Sequence, residues 1–229
     1  MKPREHGVRR LFGRIAPHYD LLNTVISLGL HGGWRRRTLR LLAPQRGDLC
    51  LDVAAGTGDF AVRLARRGAR PVALDMTPEM LAVARRRVPD LWIVAADAFV
   101  LPFADGTFDC LTAGFGFRHA KQDLPLILAE LRRVLKPGGR CASLELSHPP
   151  QRLWDRLSGL YIHMLLPAIG SVVDKEAYQY LADSLQGYPN AEQLADLFVQ
   201  AGFARCSYEL LTGGVAAVHV ATVAEAPTV

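Results

Sequence analysis

From Asp48 onward the sequence alternates short apolar runs with amphipathic stretches of helical length, and this restricts the fold more than any single motif does. A strand that pairs in parallel with the next needs a crossover of about a dozen or more residues, so the alternation predicts repeated βαβ units and a parallel sheet. The strand-like runs are Leu49–Val53, Pro71–Leu74, Trp92–Ala95, Cys110–Ala113 and Arg140–Leu146. Between them, Phe60–Arg67, Pro78–Arg87 and Leu124–Leu135 carry apolar residues three and four apart and read as helices. Thr77-Pro78-Glu79 supplies a helix cap with proline at the first helical position, and Lys136-Pro137-Gly138-Gly139 ends the helix before it. After Pro149 comes an apolar, aromatic-rich run (Trp154, Leu157, Leu160, Tyr161, Met164, Leu165), then helical segments around Tyr178–Gln186 and Ala191–Ala201. Two strand-like runs, Ala204–Leu211 and Val215–Val223, close the chain. The expectation is one α/β domain with a seven-stranded, mostly parallel sheet and helices on both faces. It divides into a helical cap (1–43, with breaks at Pro17 and Gly32-Gly33), a cofactor-binding core (48–150), a helical insertion (151–203) and a closing hairpin with tail (204–229).

Composition removes several classes. With 229 residues, half of them hydrophobic, the chain can bury a full core, and it shows neither low-complexity stretches nor a repeat. Apolar runs such as Met164–Ile169 fall far short of the ~18 residues that span a bilayer, and Met1–Arg10 lacks the apolar core of a secretory signal. A cytoplasmic protein is expected. The net charge of +5 comes mostly from arginine. Arg66-Arg67 and Arg85–Arg87 read as solvated helix faces. Arg35–Arg37, beside Leu28, Leu30 and Trp34, suits peripheral contact with an anionic membrane surface. No aromatic-basic interleaving supports nucleic-acid binding. Cys50, Cys110, Cys141 and Cys206 are spaced neither for zinc nor for a disulfide framework, and read as reduced core thiols.

The segment Leu51-Asp52-Val53-Ala54-Ala55-Gly56-Thr57-Gly58-Asp59 is a buried strand, a glycine-rich turn and a helix start. Such a turn, at the carboxyl end of a parallel sheet, lets a ligand approach the backbone. The turn alone also suits dinucleotides, although their third glycine is replaced here by Ala61. Two acids narrow the choice. Asp75 ends the second strand, where a carboxylate can accept both ribose hydroxyls. Asp97, ending the third strand and followed by Ala98, is placed for an adenine amino group, with Met76 beside the ring. Asp52 and Asp59 suit a cationic sulfonium ligand and repel a pyrophosphate. These residues, with Gly114, point to S-adenosyl-L-methionine.

With that loop in place, the chain resembles the class I methyltransferases, and more closely the C-methyltransferases of ubiquinone and menaquinone biosynthesis. Phe12, Ile15-Ala16, Tyr19-Asp20, Asn23, Ser27, Gly29 and Trp34-Arg35 match the family's opening signature. Leu101-Pro102-Phe103, Phe108-Asp109, Phe115-Gly116-Phe117-Arg118, the run from Arg133 to Gly139, and Leu144-Glu145 are similar to its internal motifs. Pro167 with Gly170, Tyr178 with Tyr180-Leu181 and Ser184, and Leu211-Thr212 with Gly214 and His219 resemble its closing ones. Two positions depart from the pattern: Gly114 where members often carry serine, and His119 where asparagine often follows the arginine.

The resemblance implies a Rossmann-like methyltransferase fold and methyl transfer to a ring carbon of a lipophilic reduced quinone, with demethylmenaquinol favoured over the benzoquinol precursor of ubiquinone. Such a carbon becomes nucleophilic when the neighbouring hydroxyl loses its proton, so the site needs a base or a phenolate stabiliser and no metal. Arg118 is the candidate fixed cation, His119 the candidate base, and Tyr19 a candidate for covering the cofactor or orienting the substrate. The insertion from Trp154 to Ile169 is a candidate lining for the isoprenoid tail. The oligomeric state is not legible, and a homodimer is compatible with the sequence. Other readings are a methyltransferase for another small acceptor, a dehydrogenase, and a non-catalytic scaffold.

Overall fold

In the computed structural model, residues 9, 10, 12–14, 16, 19–147 and 186–226 are described. The expected tail-binding run Trp154–Ile169 and the motif residues from Pro167 to Ser184 lie outside them. Two N-terminal helices, α1 (Tyr19–Ile26) and α2 (His31–Leu42), precede β1 (Leu49–Val53), α3 (Asp59–Ala65), β2 (Arg70–Asp75), α4 (Pro78–Arg87) and β3 (Trp92–Ala95). Then come β4 (Phe108–Gly114), a 3-10 turn (Phe117–Ala120), α5 (Leu124–Val134) and β5 (Leu135–Leu146). After the insertion, α6 (Ala191–Gln200), β6 (Arg205–Leu211) and β7 (Ala216–Thr222) complete the described chain.

The seven strands form one sheet in the order β3-β2-β1-β4-β5-β7-β6, the first five parallel and β7 antiparallel to both its neighbours. The reversal of strand order beside β1 opens a crevice at the carboxyl ends of β1 and β4, where ligands of such sheets bind. Continuous apolar strands are what a doubly covered sheet demands. Leu51 and Leu111 point to the face covered by α5 and α6, where Leu128, Leu131 and Phe198 are buried. Their neighbours Cys50 and Cys110 point to the opposite face, against Leu39 and Leu42 of α2 and Phe60 and Leu64 of α3. Each such fully buried side chain contributes roughly 1.5–3 kcal/mol.

Three local expectations are corrected. Gly32-Gly33 does not break the N-terminal helices: both fall in the first turn of α2, where Gly33 N and Trp34 N donate to Leu30 O at 2.9 and 3.1 Å. The break lies at Leu28 and Gly29, with φ of 50° and 76°. Cys50 and Cys110 are not separate thiols: the parallel register sets them opposite one another, Cα atoms 4.8 Å apart, joined as a disulfide. Cys141 and Cys206 are free. Trp34 is not a surface residue either. It is buried and donates from Nε1 to Thr212 Oγ1 at 2.9 Å.

Candidate active site

The loops at the carboxyl ends of β1, β2, β3 and β4 enclose a cleft of about 200 Å³. Gly56 and Gly58 carry φ of 54° and 81°, and Ala54 before them φ 52°. Left-handed backbone of this kind is costly outside glycine. The turn is held to β2 by Ala55 N donating to Leu74 O (3.0 Å) and Gly56 N donating to Asp75 Oδ2 (2.8 Å). A Cβ on Gly58 would stand 2.8 Å from that of Ala84, so α3 and α4 approach each other only across glycine.

Of the residues singled out in the sequence, Gly56, Asp75, Met76, Asp97, Ala98, Gly114, Tyr19 and His119 line this cleft together. Asp75 Oδ1 also accepts from Thr77 N at 2.8 Å, so both carboxylate oxygens are aimed by backbone N–H groups. Burial pushes its pKa up, and those N–H bonds oppose the rise. Asp97 Oδ1 accepts from Phe99 N at 3.1 Å, which turns the chain after β3 and fixes the carboxylate at the cleft.

Asp52, Thr57, Gly58 and Arg118 are not among the lining residues. Asp52 lies beneath the turn: Oδ1 accepts from Thr112 Oγ1 (2.8 Å) and Oδ2 from Ala61 N (3.1 Å). Thr57 Oγ1 donates to Asp20 Oδ1 at 2.5 Å. The acidity expected around the loop is absent, because Asp59 is paired with Arg87 (2.7 Å) and Arg35 (3.4 Å). Burial raises the Asp59 pKa, but Arg35 and Arg87 outweigh it and hold the carboxyl below its usual range. Asp75 and Asp97 line the cleft, whereas Asp52 and Asp59 offer it no free charge. Arg85–Arg87 is likewise more than a solvated face, since Arg87 reaches back to the loop. The Arg35–Arg37 triplet is mostly consumed: Arg35 is buried, and Arg37 Nε pairs with Glu209 at 2.8 Å.

Burial raises the Asp52 pKa from 3.8 to about 7, against the bonds from Thr112 and Ala61. The folded state then holds a proton that the unfolded chain has released, so stability falls as pH rises from about 4 to 7. The limit for one proton is about 1.4 kcal/mol per pH unit. Asp52→Asn, whose amide can both accept from Ala61 and donate to Thr112, is expected to flatten that slope. Denaturant melts at pH 5 and pH 8 check it, and an unchanged slope would contradict this role.

The turn after β4 forms the opposite wall. Phe115 has φ 59°, and a Cβ on Gly116 would stand 2.7 Å from that of Ala54, so the two loops meet without room for a side chain. Serine does not fit at Gly114 while Phe60 stays in place, because a Cβ there would lie 2.7 Å from Phe60 Cε2. That accounts for the first departure from the family pattern. Arg118 is buried behind the wall, its guanidinium carbon 5.9 Å from the Phe115 ring centroid, and neither Nε nor Nη1 has a hydrogen-bond partner among the described residues. Burial and the neighbouring Arg118 hold the His119 pKa well below 6.5, so its imidazole is neutral at working pH. Phe12 touches both Tyr19 and His119 edge-on, ring centroids 5.9 and 5.2 Å apart.

Sequence reasoning gave no role to Glu145. At the carboxyl end of β5 it is buried, and Oε1 accepts from Phe117 N at 2.9 Å, fixing the turn that carries Arg118 and His119. Burial raises its pKa to about 7, with Arg118 opposing the rise. The signal was a lone acid ending an apolar strand. His219 is a packed core group: Nε2 lies 2.8 Å from Ala191 O, and its ring stacks on Phe198.

Solved structures share this fold. A SAM-dependent methyltransferase from Thermotoga maritima aligns with a TM-score of 0.68 at 19% identity, over 93% of this chain and 98% of that one. Haemonchus contortus phosphoethanolamine N-methyltransferase 2, bound to S-adenosyl-L-methionine, aligns at 0.63 and 18%, over 83% of this chain and 52% of that one. The family model described as the ubiE/COQ5 methyltransferase family matches residues 1–223. Among curated relatives, demethylmenaquinone methyltransferase of Thermus thermophilus is 43% identical, over 92% of this chain and 98% of its own length. Ubiquinone/menaquinone biosynthesis C-methyltransferase UbiE of Teredinibacter turnerae is 39% identical, over 94% and 90%. The protein is a methyltransferase. A likeness that spans nearly the full length of both partners, cap and closing hairpin included, shows that the chain belongs to the ubiE/COQ5 methyltransferase family.

Proposed function

We propose that the enzyme methylates a ring carbon of a reduced polyprenyl quinone precursor, demethylmenaquinol to menaquinol. The observation that carries this reading is one cleft lined both by Gly56, Asp75, Met76, Asp97 and Ala98, the residues expected to hold adenosine, and by the aromatic residues Phe12, Tyr19, Phe115 and Phe117 together with His119. The 43% identical relative named demethylmenaquinone methyltransferase supports the acceptor. S-adenosylmethionine, held by the first side, supplies an electrophilic methyl group on sulfonium.

The chain's own residues prepare the acceptor. Asp75 would hold the ribose hydroxyls and Asp97 the adenine amino group, with Met76 beside the ring. Neutral His119 accepts the quinol hydroxyl proton, directly or through a water; the ring carbon beside the resulting phenolate would then take the methyl group as its bond to sulfur breaks, and loss of that carbon's own proton to water would restore the aromatic quinol. Arg118, a permanent cation in a low-dielectric setting, stabilises that phenolate through its field. Tyr19 closes over the cleft and orients the ring. Supplying demethylmenaquinol and the benzoquinol precursor of ubiquinone in one mixture with labelled cofactor tests the assignment. Label is expected in menaquinol, and label confined to the benzoquinol product would overturn it.

An acceptor with an isoprenoid tail resides in a bilayer, so the enzyme meets it there as a peripheral protein on the cytoplasmic face. Leu21, Leu28 and Leu30 are exposed at and just after α1, with Arg36 and Arg40 exposed on α2. Among the described residues no helix is long and apolar enough to cross a membrane. Flotation with anionic liposomes is expected to carry the enzyme up, and Leu28→Asp with Leu30→Asp to abolish it. Equal flotation of this variant would count against contact through these residues.

A further inference from the structure

The basic run at the end of α4 and the acid at the start of α1 have a shared purpose that the reaction chemistry alone does not assign. Thr57, in the glycine turn, donates from Oγ1 to Asp20 Oδ1 at 2.5 Å. Arg87 Nη1 donates to Asp20 Oδ2 and to Thr57 O, both at 3.0 Å, and Nη2 to Asp59 Oδ1 at 2.7 Å. One guanidinium thus joins three segments: α1, the glycine turn, and α3 at its first residue. Asp59 is in turn held by Arg35 of α2 at 3.4 Å, and Arg35 Nη1 lies 2.5 Å from His31 Nδ1.

What this network holds in place is Tyr19. It immediately precedes Asp20, and its Cε1 lies 3.7 Å from where a Cβ on Gly56 would stand, over the turn. Its ring meets Phe12, which reaches His119, so α1 supplies the start of an aromatic roof across the cleft. The ion pairs are partly solvated, with 47% of the Asp20 side chain and 31% of Arg87 exposed. Such pairs add little to global stability. Their geometry converges on one loop and one helix end, which is what positioning requires.

We infer that Asp20 and Arg87 are positioning residues for methyl transfer, clasping α1 to the glycine turn and so holding Tyr19 over the bound cofactor. This rests on the reading that Tyr19 covers the cleft. With the clasp open, the roof detaches from Gly56, water enters, and cofactor and acceptor lose their common orientation. Asparagine at position 20 keeps an oxygen for Thr57 but loses the charge facing Arg87, and lysine at position 87 keeps the charge but not the fork that reaches Asp20 and Asp59 together.

The test is a double-mutant cycle in the full-length enzyme, reading kcat, KM for S-adenosylmethionine, and the dissociation constant of S-adenosylhomocysteine by calorimetry. Asp20→Ala and Arg87→Ala are each expected to weaken S-adenosylhomocysteine binding by about tenfold and to lower kcat/KM further, with unchanged melting temperature. Asp20→Asn and Arg87→Lys should recover part of the loss. Added to Tyr19→Ala, either alanine variant is expected to cost nothing more. Fully additive losses with an impaired Tyr19→Ala would overturn the clasp while leaving Tyr19 in the site. An unimpaired Tyr19→Ala would remove Tyr19 from the site and overturn the clasp with it.

Discussion

Arg118→Ala is expected to lower kcat by about a hundredfold while leaving S-adenosylhomocysteine affinity within about twofold. The guanidinium is buried, has two nitrogens without hydrogen-bond partners among the described residues, and sits one residue before His119 in a turn fixed by Glu145. A permanent charge in such surroundings acts most strongly on charge that develops during reaction, and losing one fixed stabiliser typically costs about 10²–10³-fold. The cofactor side of the cleft is built from β1, β2 and β3, and Arg118 is not among the residues lining it. Saturating kinetics and calorimetry on the same preparation separate the two effects. Arg118→Lys, with charge kept on a shorter reach, should fall between. A parallel loss of binding and turnover would make Arg118 structural.

Asp75→Ala is expected to weaken S-adenosylhomocysteine binding by about a hundredfold. A hydrogen bond to a charged acceptor contributes roughly 1.5–3 kcal/mol, and in the proposed site both ribose hydroxyls would donate to this carboxylate. Asp75→Asn keeps one good acceptor and should lose about tenfold. Because burial has raised the Asp75 pKa, the ionised form that accepts both hydroxyls is depleted at less acidic pH than for an ordinary aspartate. Affinity should therefore fall on acidification and hold steady towards neutral pH. Titrations at pH 5 and pH 7.5 check this, and an Asp75→Ala variant that binds normally would remove the residue from the site.

Much of this molecule is legible in its sequence because periodicity reports directly on burial. Leu49–Val53, Trp92–Ala95 and Pro78–Arg87 are found with the bounds expected of them, and Asp75 and Asp97 follow from sitting at strand ends facing one crevice. What periodicity cannot report is the partner across a long stretch of chain. Cys50 meets Cys110 only because β1 and β4 are neighbours in a given register. Asp59 reads as free acidity until Arg35 and Arg87 converge on it. Arg85 and Arg86 are the solvated residues expected, while Arg87, one step round the helix, faces the loop. Glu145 lies in a recognised motif, yet its role depends on the backbone of Phe117, 28 residues away.

Helix α2 is stitched to the closing hairpin: Trp34 donates to Thr212 and Arg37 pairs with Glu209, contacts that span 178 and 172 residues of chain. During synthesis these partners leave the ribosome well after the strands β1 to β5. The parallel core from β1 to β5 can assemble on a nascent chain and seat Leu39 and Leu42 of α2, but the ties from Trp34 and Arg37 form only once β6 and the turn after it have emerged. Full fastening of α2 is then a late event, and an enzyme truncated before residue 205 would keep the ties of Asp20 and Arg35 to the glycine turn and α3 while losing those of Trp34 and Arg37.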